Sequence, residues 1–91
     1  MFGLEDKKKR YRCFQINEAN INNVHESVRD NVQPGDQYCQ IETPEGEVLA
    51  ASVGSINERT GMYDERAVFG TEKDIELARK LTIRKLKNLK R

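Results

Sequence analysis

The stretch QYCQIETPEGEVLAASVG, residues 37–54, constrains the fold most strongly, because it has the pattern of a β-hairpin. Each of its two strands carries one alternating set of apolar or small residues: Cys39, Ile41 and Thr43, then Leu49, Ala51 and Val53. Between the strands, Pro44 presets a turn dihedral angle and Gly46 supplies the conformational freedom that a tight turn needs. The middle of the chain therefore predicts an antiparallel pair of strands that needs a covering layer.

Two flanking segments have the composition of strands. Residues 9–16, KRYRCFQI, mix aromatic, β-branched and basic residues that alternate between two faces. Residues 62–70, MYDERAVFG, predict a fourth strand with three inward side chains, namely Tyr63, Ala67 and Phe69. Asp64 and Glu65 lie within this strand and favour a position at the edge of the sheet.

Two other segments carry apolar residues at helical spacing. In residues 17–32 the stripe consists of Ile21, Val24, Val28 and Val32. Asn17 or Asn20 can cap the start of this helix, and Pro34-Gly35 ends it. A second helix begins after Thr71, which can cap it, and runs to about residue 89. Its first turn holds the acids that the helix dipole favours there: Glu72, Asp74 and Glu76.

The resulting order is β-α-β-β-β-α, which predicts an α+β fold. We expect a small two-layer sandwich, with an antiparallel sheet of three or four strands and two helices on one face. Residues 1–91 make one small domain, and residues 1–8 are expected to form a flexible basic arm. No stretch approaches the roughly 18 apolar residues of a membrane span, and the start does not resemble a signal peptide. Cys13 and Cys39 are too few and too far apart for a disulfide framework, so we expect a cytoplasmic protein with small hydrophobic cysteines.

The charges are segregated along the chain. The formal net charge is +1, but residues 1–14 carry a net +3, residues 15–78 a net −9 and residues 79–91 a net +7. Segregation of this size is an argument about binding partners rather than about fold.

The final helix places most of its positive charge on one side. At about 100° per residue, one side carries apolar residues, including Ile75, Ala78, Leu86 and Leu89. The opposite side carries a row that we call the basic ridge: Lys80, Arg84, Lys87 and Arg91. Lys90 and Arg79 flank the apolar stripe, and no acid follows Glu76. A helix that needs only solubility usually alternates charges of both signs, so the pattern favours an acidic partner.

Three interpretations of the ridge remain open. It can be an ordinary solvated helix face, neutralised by the acidic middle of the chain. It can bind nucleic acid, with Lys80, Arg84, Lys87, Lys90 and Arg91 on phosphates and Lys8, Arg10 and Arg12 as a second contact. Tyr11 lies within that second cluster and could stack on an unpaired base. The third interpretation is a protein-interaction adaptor or regulatory subunit. It would use the acidic middle of the chain or form a homodimer through an edge strand of the sheet.

No motif indicates catalysis, a metal site or a cofactor. His25, Cys13 and Cys39 are isolated in the sequence, whereas zinc ligands usually come in close pairs. The sequence therefore predicts a non-enzymatic binding module without a catalytic residue, metal, cofactor, small-molecule ligand or membrane contact.

Overall fold

The computed structural model describes residues 9–89 and shows a small α+β domain. Four strands are present: β1 (Arg10–Gln15), β2 (Gln37–Glu42), β3 (Val48–Ile56) and β4 (Tyr63–Gly70). A 3-10 turn (Ile21–Asn23) and the short helix α1 (Glu26–Arg29) lie between β1 and β2. The long helix α2 (Glu72–Leu89) follows β4. The strands and the final helix occur where the sequence predicts them.

The sheet is a meander with the order β1-β2-β3-β4, and every neighbouring pair is antiparallel. The predicted hairpin joins β2 to β3. Thr43 organises its turn, because the Thr43 carbonyl accepts from the Gly46 amide at 2.9 Å and its hydroxyl accepts from the Glu47 amide at 3.0 Å. Gly46 has a φ of +98°, which favours glycine. The antiparallel sheet and the edge position of β4 are confirmed.

The sheet is covered on both faces, which is why every residue of β2 is buried. On one face, Tyr38, Ala51 and Val53 form a cluster with Val24 and Val28 from the segment between β1 and β2. The opposite face carries a second set of fully buried residues: Cys39, Ile41, Ala50 and Ser52. Helix α2 packs over this second face, mainly against β2 and β3.

This division differs from the expected arrangement of two helices on one face. Both Ala50 and Ala51 are fully buried although they point to opposite faces, because each face has its own cover. Small residues on β3 let α2 approach closely, and the Thr82 hydroxyl reaches the Ser52 carbonyl at 3.4 Å. A continuous helix between β1 and β2 is also absent from the described residues.

Local polar contacts interrupt the predicted first helix. The Asn17 side chain accepts from the amides of Ala19 and Asn20 at 2.8 and 3.0 Å, and the Asn20 side chain donates to the Gln15 carbonyl at 2.9 Å. Such contacts compete with helical hydrogen bonds. The predicted stripe nevertheless meets the sheet, since Val24 and Val28 are buried and Ile21 and Val32 pack against the same cluster. The spacing predicted the core residues correctly but not the helix.

The expectation for the cysteines is wrong. Cys13 and Cys39 form a disulfide between β1 and β2, across a sequence separation of 26 residues, with a Cα–Cα distance of 4.0 Å. They are direct partners in the strand register, so the sheet brings together two residues that look unrelated in the sequence. The cysteines therefore no longer support a cytoplasmic location, which stays a prediction. Within residues 9–89, no helix is long and apolar enough to cross a membrane.

Candidate functional site

Helix α2 presents two different faces. Its inner stripe is buried against the sheet and centres on Ala78, Thr82 and Leu86. Thr82 is polar, so it was not included in the predicted apolar stripe, yet its side chain is fully buried. The Thr82 hydroxyl donates to the Ala78 carbonyl at 2.9 Å, which satisfies it inside the helix. Because this stripe faces the sheet, the opposite face of α2 is exposed to solvent.

Contacts at several points fix the position of α2. At its start, the Thr71 hydroxyl accepts from the Asp74 amide at 3.4 Å, as the predicted cap requires. Further along, the Arg79 guanidinium donates to both Glu65 carboxylate oxygens at 2.8 and 3.0 Å, which ties α2 to β4. It also donates to Glu76 at 3.1 Å. The hydrogen bonds to Glu65 raise the pKa of Arg79.

The described part of the basic ridge is exposed and forms one row. Lys80, Arg84 and Lys87 lie on the outer face of α2. At a rise of about 1.5 Å per residue, they extend over about 10 Å along the helix axis. Together with Ile83 and Asn88 they line a shallow depression of about 390 Å³. Because all three residues lie on one helix, their backbone positions have a fixed spacing.

The ridge cations Lys80, Arg84 and Lys87 have no ion-pair partner among residues 9–89, since the ion pairs there use other cations. Each of the acids in those pairs has a partner elsewhere. Asp36 binds Arg66 through both carboxylate oxygens at 3.1 Å, which raises the pKa of Arg66. The other paired acids are Glu42, Glu65, Asp74 and Glu76. Direct pairing with the acidic middle therefore does not neutralise the described ridge.

The second predicted cluster does not join the ridge. The Arg12 Nε lies 3.4 Å from the Glu42 carboxylate, and Lys9 binds Asp74 at 3.1 Å near the start of α2. The strand register pairs Arg12 with Gln40 and Arg10 with Glu42, which places both arginines on the sheet face away from α2. Of the remaining predicted contacts, Lys8, Lys90 and Arg91 lie outside the described residues.

The isolated candidates for chemistry have structural roles. The His25 Nδ1 accepts from the Ser27 amide at 3.1 Å, so it caps α1, and its ring stacks on Phe69 with the centroids 4.5 Å apart. Cys13 and Cys39 are joined to each other. In the part of the chain that the structure describes, no group of three or more His, Cys, Asp or Glu residues could hold a metal ion.

The sequence pattern did not reveal the role of one residue that matters for the surface. Arg79 looks like one more cation of the basic tail, but it neutralises two acids beside the ridge. Its i,i+3 spacing from Glu76 was a readable signal, whereas its contact with Glu65 depends on the packing of α2 against β4. No family model, curated protein or solved structure matches this chain.

Proposed function

We propose that this protein is a small non-enzymatic binding module that binds nucleic acid through the outer face of α2. The observation that carries the proposal is the row of ridge cations, which are exposed, held at fixed spacing and without ion-pair partners among residues 9–89. Lysine and arginine side chains on phosphate groups release condensed counterions, and this release drives binding that does not depend on sequence.

The acids near α2 do not oppose this use of the helix as strongly as their number suggests. Glu65 and Glu76 share the Arg79 guanidinium, and Asp74 is bound by Lys9. The C-terminal half of the helix carries no acid in its sequence. A polyanion that approaches Lys80, Arg84 and Lys87 therefore meets positive charge first.

The test is fluorescence anisotropy with labelled DNA and RNA, single-stranded and duplex, titrated at several salt concentrations. Three phosphate contacts predict that log Kd changes by about 2.7 per tenfold change in salt for duplex DNA. The variant K80Q/R84Q/K87Q should lose most of the binding and of the salt dependence. R84Q and R59Q form a matched pair of exposed arginines, and only R84Q should weaken binding. Absence of binding by the native chain at low salt contradicts the proposal.

A protein-interaction role is the second candidate, favoured by the open edges of the sheet. Within residues 9–89, β1 and β4 each have a strand neighbour on one side only. Tyr11 on β1 is 54% exposed, and an exposed aromatic residue on an edge strand is suited to pairing with another strand. Light scattering across a range of concentrations would detect self-association, and Y11K should abolish it if β1 is the contact.

A further inference from the structure

The shape of the cationic surface distinguishes between kinds of nucleic acid. The ridge cations stand on the outside of a helix whose inner stripe is buried, so the surface they form is convex. Proteins that hold single strands generally do so in a positively charged groove that follows the backbone. The depression beside Lys80 and Arg84 is lined by α2 alone and has no opposing wall from another element.

The outer face of α2 also lacks the side chains on which unpaired bases stack. No Phe, Tyr or Trp occurs between residues 71 and 91. Phe14, Tyr38 and Phe69 belong to the core cluster or pack against it, on the sheet face away from α2. Tyr11 is the one large aromatic residue exposed among the described residues, and it lies on β1 rather than on the helix. Stacking therefore contributes little to any complex with this face.

The dimensions of α2 fit a duplex groove. An α-helix with its side chains is about 10–12 Å wide, and the major groove of B-form DNA, at about 12 Å, admits one. The major groove of A-form RNA is too deep and narrow for this. From Lys80 to Lys87 the row spans about 10 Å along the helix axis, so its long side chains can reach successive backbone phosphates along the groove.

We propose that the ligand of this surface is double-stranded DNA, with the C-terminal half of α2 in the major groove and the ridge cations on the backbone phosphates. This inference rests on the proposed function and narrows it to one class of nucleic acid. Arg66 and Arg79 stay with their carboxylate partners, and Lys80, Arg84 and Lys87 make the contacts.

The experiment compares four labelled ligands of equal length and matched sequence: duplex DNA, duplex RNA, single-stranded DNA and single-stranded RNA. Duplex DNA should bind at least about fivefold more tightly than the other three, because the complex needs groove access and gains little from stacking. Methyl green, which occupies the major groove, should displace the protein, whereas the minor-groove ligand netropsin should not. K80Q/R84Q/K87Q serves as the loss-of-binding variant, and circular dichroism verifies that it is folded.

The outcomes separate this inference from the proposed function. Preference for duplex RNA or a single strand, or displacement by netropsin alone, overturns the assignment to the major groove of DNA while nucleic-acid binding stands. If none of the four ligands binds at low salt, both proposals fail. Duplex DNA binding that K80Q/R84Q/K87Q retains overturns the role of α2.

Discussion

The two basic regions of the chain differ in what their charges do. At β1, both Arg12 and Lys9, the residue before the strand, have carboxylate partners, and the disulfide at Cys13 ties the strand to β2. On α2, Lys80 and Arg84 have no such partner among residues 9–89. A count of lysines and arginines treats the two regions alike. The comparison shows that positive charge is available for a ligand only where the fold does not already use it.

The largest expected effect is on the β1 side and comes from the disulfide. Reduction of the Cys13–Cys39 bond should lower the free energy of unfolding by about 3.5 kcal/mol, because the unfolded chain regains the entropy of a 26-residue loop. Urea denaturation with and without dithiothreitol measures the change. The double variant C13A/C39A is the control and should not respond to the reductant. An identical urea midpoint for the native chain in both conditions would contradict the bond's stabilising role.

The next largest effect is expected from Tyr38, a buried residue of β2 that pairs with Phe14 of β1. Tyr38 is fully buried, and its ring packs against the tilted ring of Phe14 with the centroids 5.0 Å apart. Its hydroxyl accepts from the His25 amide at 3.1 Å and donates to Gln40. Y38F leaves the His25 and Gln40 groups unpaired and should cost about 2 kcal/mol.

The same residue predicts a dependence on alkaline pH. Burial raises the pKa of Tyr38 above its ordinary value of 10.0, and it raises the pKa of Tyr63 as well. The folded protein therefore holds these protons where the unfolded chain releases them, so its stability falls as the pH rises above about 10. Urea midpoints measured at about pH 8 and about pH 11 should show that Y38F loses less stability between these pH values than the native chain does. An equal loss in both proteins would show that Tyr38 is not the group responsible.

A crossed pair of substitutions tests the comparison directly. R12Q leaves the buried Glu42 carboxylate without its partner and should cost about 1 kcal/mol of stability, with little change in nucleic-acid binding. R84Q should weaken nucleic-acid binding with little change in stability, because Arg84 is exposed and makes no ion pair among the described residues. Urea denaturation and anisotropy on both variants give the four values. If R12Q and R84Q weakened binding equally, the claim that only the cations of α2 are available to a ligand would be contradicted.

The smallest expected effect belongs to Arg79, which lies on α2 but is paired as the β1 cations are. R79Q should cost about 0.5 kcal/mol of stability, because the pairs with Glu65 and Glu76 are partly exposed. It should also weaken nucleic-acid binding slightly by uncovering both carboxylates. In the triple variant E65Q/R79Q/E76Q, binding should return at least to the native level, because these three positions then carry no charge instead of a net −1. Failure to recover would mean that Arg79 itself contacts the ligand.

Several features follow from residues that are close in the sequence. The hairpin turn depends on Thr43 and Gly46, and the start of α2 depends on Thr71 and Asp74, so local turn and capping chemistry predicts both. Helical periodicity likewise predicts that Lys80, Arg84 and Lys87 form a row. In the segment between β1 and β2, the apolar spacing predicts the buried residues but not the backbone conformation. Hydrogen bonds of the Asn17 and Asn20 side chains replace helical hydrogen bonds there.

The sequence by itself thus determined the strands, the capped final helix and the row of cations on that helix, since each depends on neighbours within a few residues. Only the tertiary structure decided which charges remain without a partner. Lys9 meets Asp74 across 65 residues and Arg12 meets Glu42 across 30, and Cys13 meets Cys39 across 26. These pairings depend on strand register and on which face each segment covers, because a shift of one residue would turn every side chain to the other face.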